Sequence, residues 1–319
     1  LNNEAHQQGF ESYDWVERVR TDVEWAEETA AEYETKILED TSLSQGELNE
    51  LSAQMFDLWD IQLNEGWAVL QQMLSQTDME ALTAEELEEK ITDKTKLLIM
   101  PYPNNPTGAV MRRSDLEAVA QVVERHNLMV LSDEIYASLT YGEEKHTAFS
   151  AIPGMQERTI LVNGFSKSHS MTGWRMGYAA GPKEIISLMT KLHQFAIMSA
   201  PTMSQYAAIE AMKNGDDDIE YMRQQYDMRR RLIVDGLNKM GLKCFEPEGA
   251  FYVFPSVKST GLTSMEFCER LIHSKRVAVV PGDAFGACGE GFVRISYCYS
   301  TQHIIEALER MEAFLKELQ

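Results

Sequence analysis

Residues 82–181 alternate between short apolar runs and amphipathic stretches. The segment LTAEELEEKIT has a threonine cap and a charged face, which predicts a helix. The apolar run KLLIMPYP then predicts a buried strand that enters a turn rich in proline and asparagine. A helix from Arg113 to Asn127 follows, and then the predicted strands MVLSDEIY, TILVNGFS and GYAAGP. Strands that alternate with helices are typical of an α/β domain with a mostly parallel sheet.

The C-terminal part follows a different pattern. A long helical stretch is predicted from Pro182 to about Met240, with polar breaks near Ser204 and at residues 214–218. After Gly241 come short apolar segments and two helices, in the order KCFEPEGAFYVFP, a helix, VAVVPGDAFG, FVRISY and a final helix. We therefore predict a smaller α+β unit at the C-terminal end.

Residues 1–81 form a third region, which we predict to be an acidic helical segment. The stretch from Val16 to Ile37 is rich in alanine and glutamate and contains no glycine or proline. A second helix is predicted after TSLSQ, because its apolar residues recur mostly at steps of three and four: Leu48, Leu51, Met55, Leu58, Leu63, Trp67, Leu70 and Leu74. The simplest interpretation is a helical hairpin whose apolar stripe packs on another surface.

The charge is concentrated at the N-terminal end of this 319-residue chain. The net charge is −21, of which residues 1–100 carry −18 (24 acidic, 6 basic) and residues 101–319 carry −3 (26 acidic, 23 basic). This distribution argues against nucleic acid or an anionic membrane as a partner. The sequence has no apolar run of about 18 residues and no signal peptide at its start, so we expect a cytoplasmic protein.

The four cysteines show no spacing typical of a metal site or a redox motif. We expect Cys244, Cys268, Cys288 and Cys298 to be ordinary buried thiols without a disulfide framework.

Two polar clusters follow predicted strands. In Tyr102-Pro-Asn-Asn-Pro-Thr-Gly108, the proline holds Asn105 out of the helical region, so that its amide projects from a strand end, and Gly108 permits a sharp turn. In Leu131-Ser-Asp-Glu-Ile-Tyr136, Asp133 ends an apolar strand, where a carboxylate needs a cation or a donor. A purely structural turn and a helix cap are the respective alternatives.

The third cluster runs from Asn163 to Gly177, NGFSKSHSMTGWRMG, and contains Lys167 with Arg175 eight positions later. Small residues around the lysine permit close approach of a flat ligand. A lysine can form a Schiff base once its ammonium is desolvated or lies near other cations, and arginine with serine can bind a phosphate. The alternative is a lysine on the solvated surface.

The fourth cluster, Gly291-Phe-Val-Arg-Ile-Ser-Tyr297, places Arg294 inside an alternating strand. A charge there needs a partner anion, and an arginine matches a carboxylate with two parallel hydrogen bonds. The partner is either the carboxylate of a ligand or one of the protein's own, in a structural salt bridge.

The segments PNNPTG, SDEIY, GFSKSHSMTGWRMGY and FVRISY, in this order, resemble the signatures of the class I/II aminotransferases that depend on pyridoxal phosphate. The segments EPEGAFYVFP and VVPGDAFG extend the resemblance over residues 82–319, and SKSHSMTGWRMGY is similar to the aromatic aminotransferase branch. The resemblance implies a fold-type-I protein. It has a three-layer large domain with a mostly parallel sheet over residues 82–220 and a small C-terminal α+β domain over residues 221–319.

The resemblance also implies a role for each cofactor residue. Lys167 would bind pyridoxal phosphate through a Schiff base and move the proton during transfer. Asp133 would pair with the pyridine nitrogen, and Asn105 and Tyr136 would hydrogen-bond the 3′-oxygen of the ring. Arg175 and Ser166 would hold the phosphate.

For the substrates, the resemblance implies that Arg294, with Asn105, binds the α-carboxylate. The reaction would exchange an amino group between an amino acid, aromatic as the first expectation, and a 2-oxo acid. A homodimer and the absence of a resident metal are also implied. A related lyase on the same scaffold is a second enzymatic hypothesis.

Two features depart from the family pattern. Gly164 stands where many relatives have a serine that binds the phosphate. Residues 1–81 show neither the glycine-containing phosphate turn nor the Gly-Asp turn and Pro-x-Tyr segment of relatives. A truncated or fused, weakly active or non-catalytic protein is therefore the hypothesis from a different class, and we expect weaker cofactor binding than in relatives.

Overall fold

The computed structural model describes residues 83–142 and 145–318. These residues belong to two compact units, one that includes residues 183–199 and one that includes the described residues before 183 and after 199. The predicted acidic helical segment, residues 1–81, lies outside the described residues. The predicted division between residues 220 and 221 falls inside a long helix and stays a prediction.

The helices and strands of the described residues are numbered here in chain order. The helices are α1 (Ala84–Lys90), α2 (Arg113–Arg125), α3 (Lys183–Ile197), α4 (Thr202–Asn214), α5 (Asp216–Lys239), α6 (Ser264–Lys275) and α7 (Thr301–Glu317). The strands are β1 (Leu97–Pro101), β2 (Met129–Asp133), β3 (Thr159–Gly164), β4 (Gly177–Ala180), β5 (Tyr252–Val253), β6 (Val280–Pro281) and β7 (Val293–Ser296).

The first sheet has the strand order β1-β2-β3-β4, and it is mostly parallel, as the sequence predicts. Strands β1, β2 and β3 run parallel, whereas β4 returns antiparallel to β3. The register places Pro101 beside Asp133 and Asp133 beside Val162. The carboxyl ends of three strands therefore lie at one edge of the sheet.

Helix α2 anchors this sheet through one apolar face. Its side chains form one buried cluster with those of β1 and β2: Leu116, Val119, Val122, Val123, Leu98, Met100 and Val130. Complete burial of such a side chain contributes roughly 1.5–3 kcal/mol. This packing, together with the ladder of hydrogen bonds, fixes the strand ends in space.

The second sheet confirms the predicted C-terminal α+β unit. Its order is β5-β7-β6, both pairings are antiparallel, and Arg294 of β7 lies opposite Val280 of β6. Helices α5, α6 and α7 share a buried cluster with these strands, including Leu237, Val253, Phe267, Leu271, Val293, Met311 and Phe314.

The helix ends follow local signals in part. Thr83 caps α1 and forms a capping box with Glu86, as the threonine predicts. The predicted break near Ser204 is confirmed at residues 198–201, which separate α3 from α4, and Ser204 lies in the first turn of α4. Its buried hydroxyl donates to the carbonyl of Trp174 at 2.6 Å. The second break is confirmed at Gly215.

Helix α3 is the described part of the other unit, and none of its residues is buried. No helix in the described ranges is long and apolar enough to cross a membrane.

The four cysteines all lie within the described residues, and each is a thiol outside any disulfide. Cys244 and Cys268 are buried, and burial raises the pKa of the Cys244 thiol to about 12. The prediction of buried thiols is wrong for Cys298, which is exposed, and for the partly exposed Cys288. Cys298 follows β7, where the chain leaves the sheet for α7, so the sheet does not cover it.

Gly108 closes the turn that the Asn-Pro motif predicts. Its φ is +73°, and a Cβ atom there would lie 2.5 Å from the Cβ of Pro247. Its carbonyl accepts the backbone N–H groups of Glu248 and Gly249 at 3.1 and 2.8 Å. This turn therefore holds the segment after β1 against the segment before β5.

Gly108→Ala should lower the free energy of unfolding by about 1–3 kcal/mol in a urea titration, because the alanine meets both a positive φ and a steric clash. Gly154→Ala is the matched control. Gly154 has a φ of +80°, and no atom lies within 4 Å of the position that a Cβ atom would take, so only the backbone cost applies. Equal losses in the two variants would contradict the close approach at Gly108.

Candidate active site

The carboxyl edge of the parallel strands carries most of the predicted site residues. Asp133 is the last residue of β2, Lys167 follows the last residue of β3, Gly164, by three positions, and Asn105 follows Pro101 of β1 by four. Because parallel strands end at the same edge, the fold brings these segments together.

Lys167 is partly buried and faces aromatic rings. Its Nζ lies 5.9 Å from the ring centroid of Tyr136 and 5.8 Å from that of Phe251. In the part of the chain that the structure describes, no carboxylate forms an ion pair with it. The predicted alternative of an ordinary surface lysine does not fit an amine placed over two buried rings.

The turn that carries Lys167 depends on two glycines. Gly164 of β3 pairs with Gly177 of β4, and a Cβ atom on Gly164 would lie 2.9 Å from the Cα of Gly177. The residue at position 164 must therefore be a glycine for these strands to approach this closely. A serine at this position would place its Cβ at the same 2.9 Å from the Cα of Gly177, so it does not fit this backbone.

Asp133 forms a turn contact with its own chain segment. Its Oδ1 accepts the backbone N–H of Ile135 at 3.2 Å, so it stabilises a turn and not the start of a helix. Burial raises the pKa of Asp133, the hydrogen bond from Ile135 opposes this, and the charge of Glu134 raises the pKa further. Among the described residues no Lys, Arg or His pairs with this carboxylate.

Arg294 and Asn105 are in direct contact. The Nη1 of Arg294 donates to the Oδ1 of Asn105 at 2.8 Å. The guanidinium carbon lies 4.6 Å from the ring centroid of Tyr252 and 4.7 Å from that of Phe285. No carboxylate within the described ranges pairs with Arg294, so the alternative of a structural salt bridge is not found there. The guanidinium of Arg294 is therefore oriented by one amide and two aromatic rings.

Tyr252 contacts both Tyr136, which follows β2, and Arg294 of β7. Its hydroxyl lies 3.1 Å from the hydroxyl of Tyr136, and its ring faces Arg294. Burial raises the pKa of Tyr136 well above its ordinary value, and the hydrogen bond with Tyr252 adds to this, whereas Arg294 opposes it. Tyr136 therefore stays a neutral donor at physiological pH.

Arg175 and Ser166 are not joined to the other residues. Arg175 is exposed, has a φ of +52°, and donates through Nη1 to the carbonyl of Thr172 at 2.9 Å. Its guanidinium thus folds back on the turn over Thr172–Trp174 that precedes it. Ser166 is partly buried beside Lys167. Phosphate binding by these two residues stays a prediction.

Comparison with known proteins identifies the family of this chain. The family model for aminotransferase class I and II matches residues 61–311. The chain belongs to this family. The match begins at residue 61, whereas the sequence motifs place the start of the resemblance at residue 82.

The relatives include an aspartate aminotransferase of Pyrococcus abyssi, 47% identical over 238 residues that make up 74% of this chain and 61% of the relative. The aromatic-amino-acid aminotransferase 2 of Thermococcus litoralis is 46% identical, with the same shares covered. Among solved structures, the aromatic aminotransferase of Pyrococcus horikoshii OT3 is similar with a TM-score of 0.72 and 48% identity, and the match covers 74% of this chain and 64% of the solved one. The chain thus spans about 61% of the length of these curated relatives. The solved neighbours confirm the fold-type-I α/β class for the matched part.

Sequence reasoning missed three aromatic residues of this candidate site. Phe251 and Tyr252 lie in the segment GAFYVFP, and Phe285 lies in PGDAFG. Both segments contribute to the family resemblance, which was the available signal. Apolar runs by themselves predict core strands, and only the pairing of β5 with β7 shows that Tyr252 lies beside Arg294.

Asp133→Asn should raise the free energy of unfolding of the cofactor-free protein at neutral pH. Because the folded pKa of Asp133 is raised above the ordinary 3.8, the native state holds this proton more tightly than the unfolded state. Stability is therefore greatest below the unfolded pKa and falls as pH rises through the folded one. The asparagine does not titrate, so the free energy of unfolding of the variant should exceed that of wild type by an amount that grows with pH and then levels off.

Urea unfolding at several pH values measures this difference. Asp235→Asn, on the exposed surface of α5, is the matched control and should show no such pH-dependent gain. An asparagine at position 133 that is no more stable than wild type at neutral pH would contradict the argument.

Proposed function

We propose that this protein is a pyridoxal-phosphate-dependent aminotransferase that exchanges an amino group between an amino acid and a 2-oxo acid. One observation carries the proposal. An amine on Lys167, a carboxylate on Asp133 and a guanidinium on Arg294 gather around Tyr136 and Tyr252, and none has an ion-pair partner in the described ranges. Three uncompensated groups of this kind match a ligand with complementary groups.

The residues present fit pyridoxal phosphate by their chemistry. Asp133, with its raised pKa and no cationic partner among the described residues, is suited to accept a proton-bearing ring nitrogen. Asn105 uses its amide oxygen for Arg294, which leaves the amide nitrogen as a donor for a ring oxygen. Tyr136 is a neutral hydroxyl that can donate to the same oxygen. Arg175 is an exposed guanidinium on the lysine-bearing segment and would hold the phosphate with Ser166.

Each residue of this chain then has a role in transfer. Pyridoxal phosphate, when bound, supplies a sink for the electrons that remain on the substrate α-carbon when its proton leaves. Lys167 would hold the cofactor and, once released by the substrate, move this proton with its Nζ. Asp133 would keep the ring nitrogen protonated. Arg294, oriented by Asn105, would bind the α-carboxylate and align the α-carbon bond.

The side-chain preference is proposed from the aromatic lining. Phe251, Tyr252 and Phe285 lie around Lys167 and Arg294, and aromatic substrates pack well against such rings. The relatives named above are an aspartate and two aromatic aminotransferases, so both donor classes belong in one assay. We expect phenylalanine or tyrosine to exceed aspartate in kcat/KM with 2-oxoglutarate as acceptor. We also propose a homodimer, which sedimentation of the purified protein tests.

Lys167→Ala should remove the visible absorbance of the lysine-bound cofactor and abolish transfer, because no other lysine amine of the described residues lies over the rings of Tyr136 and Phe251. Borohydride reduction followed by peptide mapping should place the cofactor on the wild-type peptide that contains Lys167. Lys213→Ala, on the exposed face of α4, is the control and should behave like wild type. Normal turnover of the alanine variant at position 167 would overturn the proposed function.

Arg294→Gln should raise KM for the amino acid and the 2-oxo acid by about 10- to 100-fold, because a charged hydrogen-bonded contact contributes roughly 1.5–3 kcal/mol. The absorbance of the bound cofactor should stay nearly unchanged. Arg310→Gln, which breaks an exposed ion pair with Glu306 on α7, is the control. Unchanged kinetics at position 294 would make this arginine a structural residue of β7.

A further inference from the structure

A buried carboxylate lies one residue beyond Asp133, and the proposed reaction does not use it. Glu134 is only 2% exposed. Its Oε1 accepts the hydroxyl of Ser132 at 2.8 Å and the backbone N–H of Phe149 at 3.1 Å. Its Oε2 lies 2.7 Å from the Nε2 of His146, which is itself largely buried.

A fourth contact joins this carboxylate to the segment that carries Asn105. The hydroxyl of Tyr102 donates to the carbonyl of Thr147 at 3.0 Å and lies 3.4 Å from the Oε1 of Glu134. The ring of Tyr102 also packs on His146, with 5.0 Å between centroids. Tyr102 begins the turn that leads to Asn105, and its backbone N–H donates to the carbonyl of Asp133 at 3.1 Å.

The contacts of Glu134 therefore tie together three segments at the carboxyl edge of the sheet. These are the turn after β1, the end of β2, and residues 145–149, which return toward β3. Two of these segments carry residues of the proposed cofactor site, Asn105 and Asp133. A shift of either segment would change the distance between Asn105 and Asp133, the two residues that would bind the cofactor ring under the proposed function.

The negative charge of Glu134 also acts on Asp133. A buried carboxylate is costly unless it is well hydrogen-bonded, and a neutral side chain often fills such a place with no loss of stability. Here the charge lies close enough to Asp133 to add to the effect of burial on its pKa. When His146 is neutral, Glu134 leaves a second negative charge near Asp133, and two such charges attract a protonated nitrogen more strongly than one does.

We propose that Glu134 is a positioning residue of this site, which fixes Asp133 and the Asn105 turn relative to each other and adds a second negative charge behind Asp133. This inference rests on the proposed function. The competing explanation is a purely structural tether that stabilises the fold and leaves the site unaffected.

Two substitutions separate charge from length. Glu134→Gln keeps the size of the side chain and removes its charge, whereas Glu134→Asp keeps the charge and shortens the reach to His146 and Phe149. The chain offers a matched control in Glu88, whose Oε1 lies 2.6 Å from the Nε2 of His126 between α1 and α2. Glu88→Gln breaks the same kind of pair on the surface, away from the site.

The experiment loads each full-length variant with pyridoxal phosphate and measures three properties besides activity. They are the dissociation constant by equilibrium dialysis, the pH midpoint of the visible absorbance, and the visible circular dichroism per bound cofactor. We expect Glu134→Gln to weaken binding about tenfold and to move the midpoint to lower pH, since a nearby negative charge favours the protonated form. We expect Glu134→Asp to keep the pH midpoint of the visible absorbance close to that of wild type, because the charge remains. Its visible circular dichroism per bound cofactor should fall, because the cofactor ring would be held less firmly.

The outcomes distinguish this inference from the proposed function. If wild type binds cofactor at Lys167 and both variants differ from it only in melting temperature, Glu134 is a tether and the inference is wrong. If wild type shows no visible band, the proposed function fails and the inference fails with it. If the Glu134 variants do not fold, Ser132→Ala serves in their place, because it removes one donor to the same carboxylate. This variant should fold like wild type and shift the pH midpoint of the visible absorbance. No shift in that variant would overturn the inference.

Discussion

The parallel pairing of β1, β2 and β3 is the constraint on which the rest of the site depends. This register places Pro101, Asp133 and Val162 side by side. Parallel strands end at one edge, so the chain segments that leave them must begin at the same place. Asn105, Asp133 and Lys167 are far apart in sequence, and each lies at or shortly after one of these three ends. The apolar face of α2 holds the strands in position through Leu116, Val119 and Val123.

The site itself works against stability. Asp133 is partly buried without a cation among the described residues, Glu134 lies beside it as a second carboxylate, and Arg294 has an amide and two rings as its described partners. Charges in such surroundings lower the stability of a fold unless a ligand compensates them. The buried apolar clusters of the two sheets offset this loss of stability. The proposed function would account for these uncompensated charges, because a ligand with complementary groups would pair with them.

Aromatic side chains connect the two sheets at this site. The hydroxyl pair of Tyr136 and Tyr252 joins the segment after β2 to β5, and the ring of Tyr252 orients Arg294 on the neighbouring β7. The turn at Gly108 makes a second connection through the backbone of Glu248 and Gly249. The position of Arg294 relative to Asn105 therefore depends on contacts between segments more than a hundred residues apart.

The local sequence determined the helices and strands of the described residues, the mostly parallel order of the first sheet, and the chemical identity of the motif residues. Periodicity and capping are local properties, which is why Thr83 and the apolar run of β1 were sufficient signals. The tertiary structure alone decided that the hydroxyl of Ser204 donates to the carbonyl of Trp174, thirty residues away. It alone brought Tyr252 and Phe285 onto Arg294 and gathered four donors around Glu134. Those partners come from strands and turns that are distant in sequence. Their distances from one another depend on tertiary packing, so the spacing of residues along the chain does not predict them.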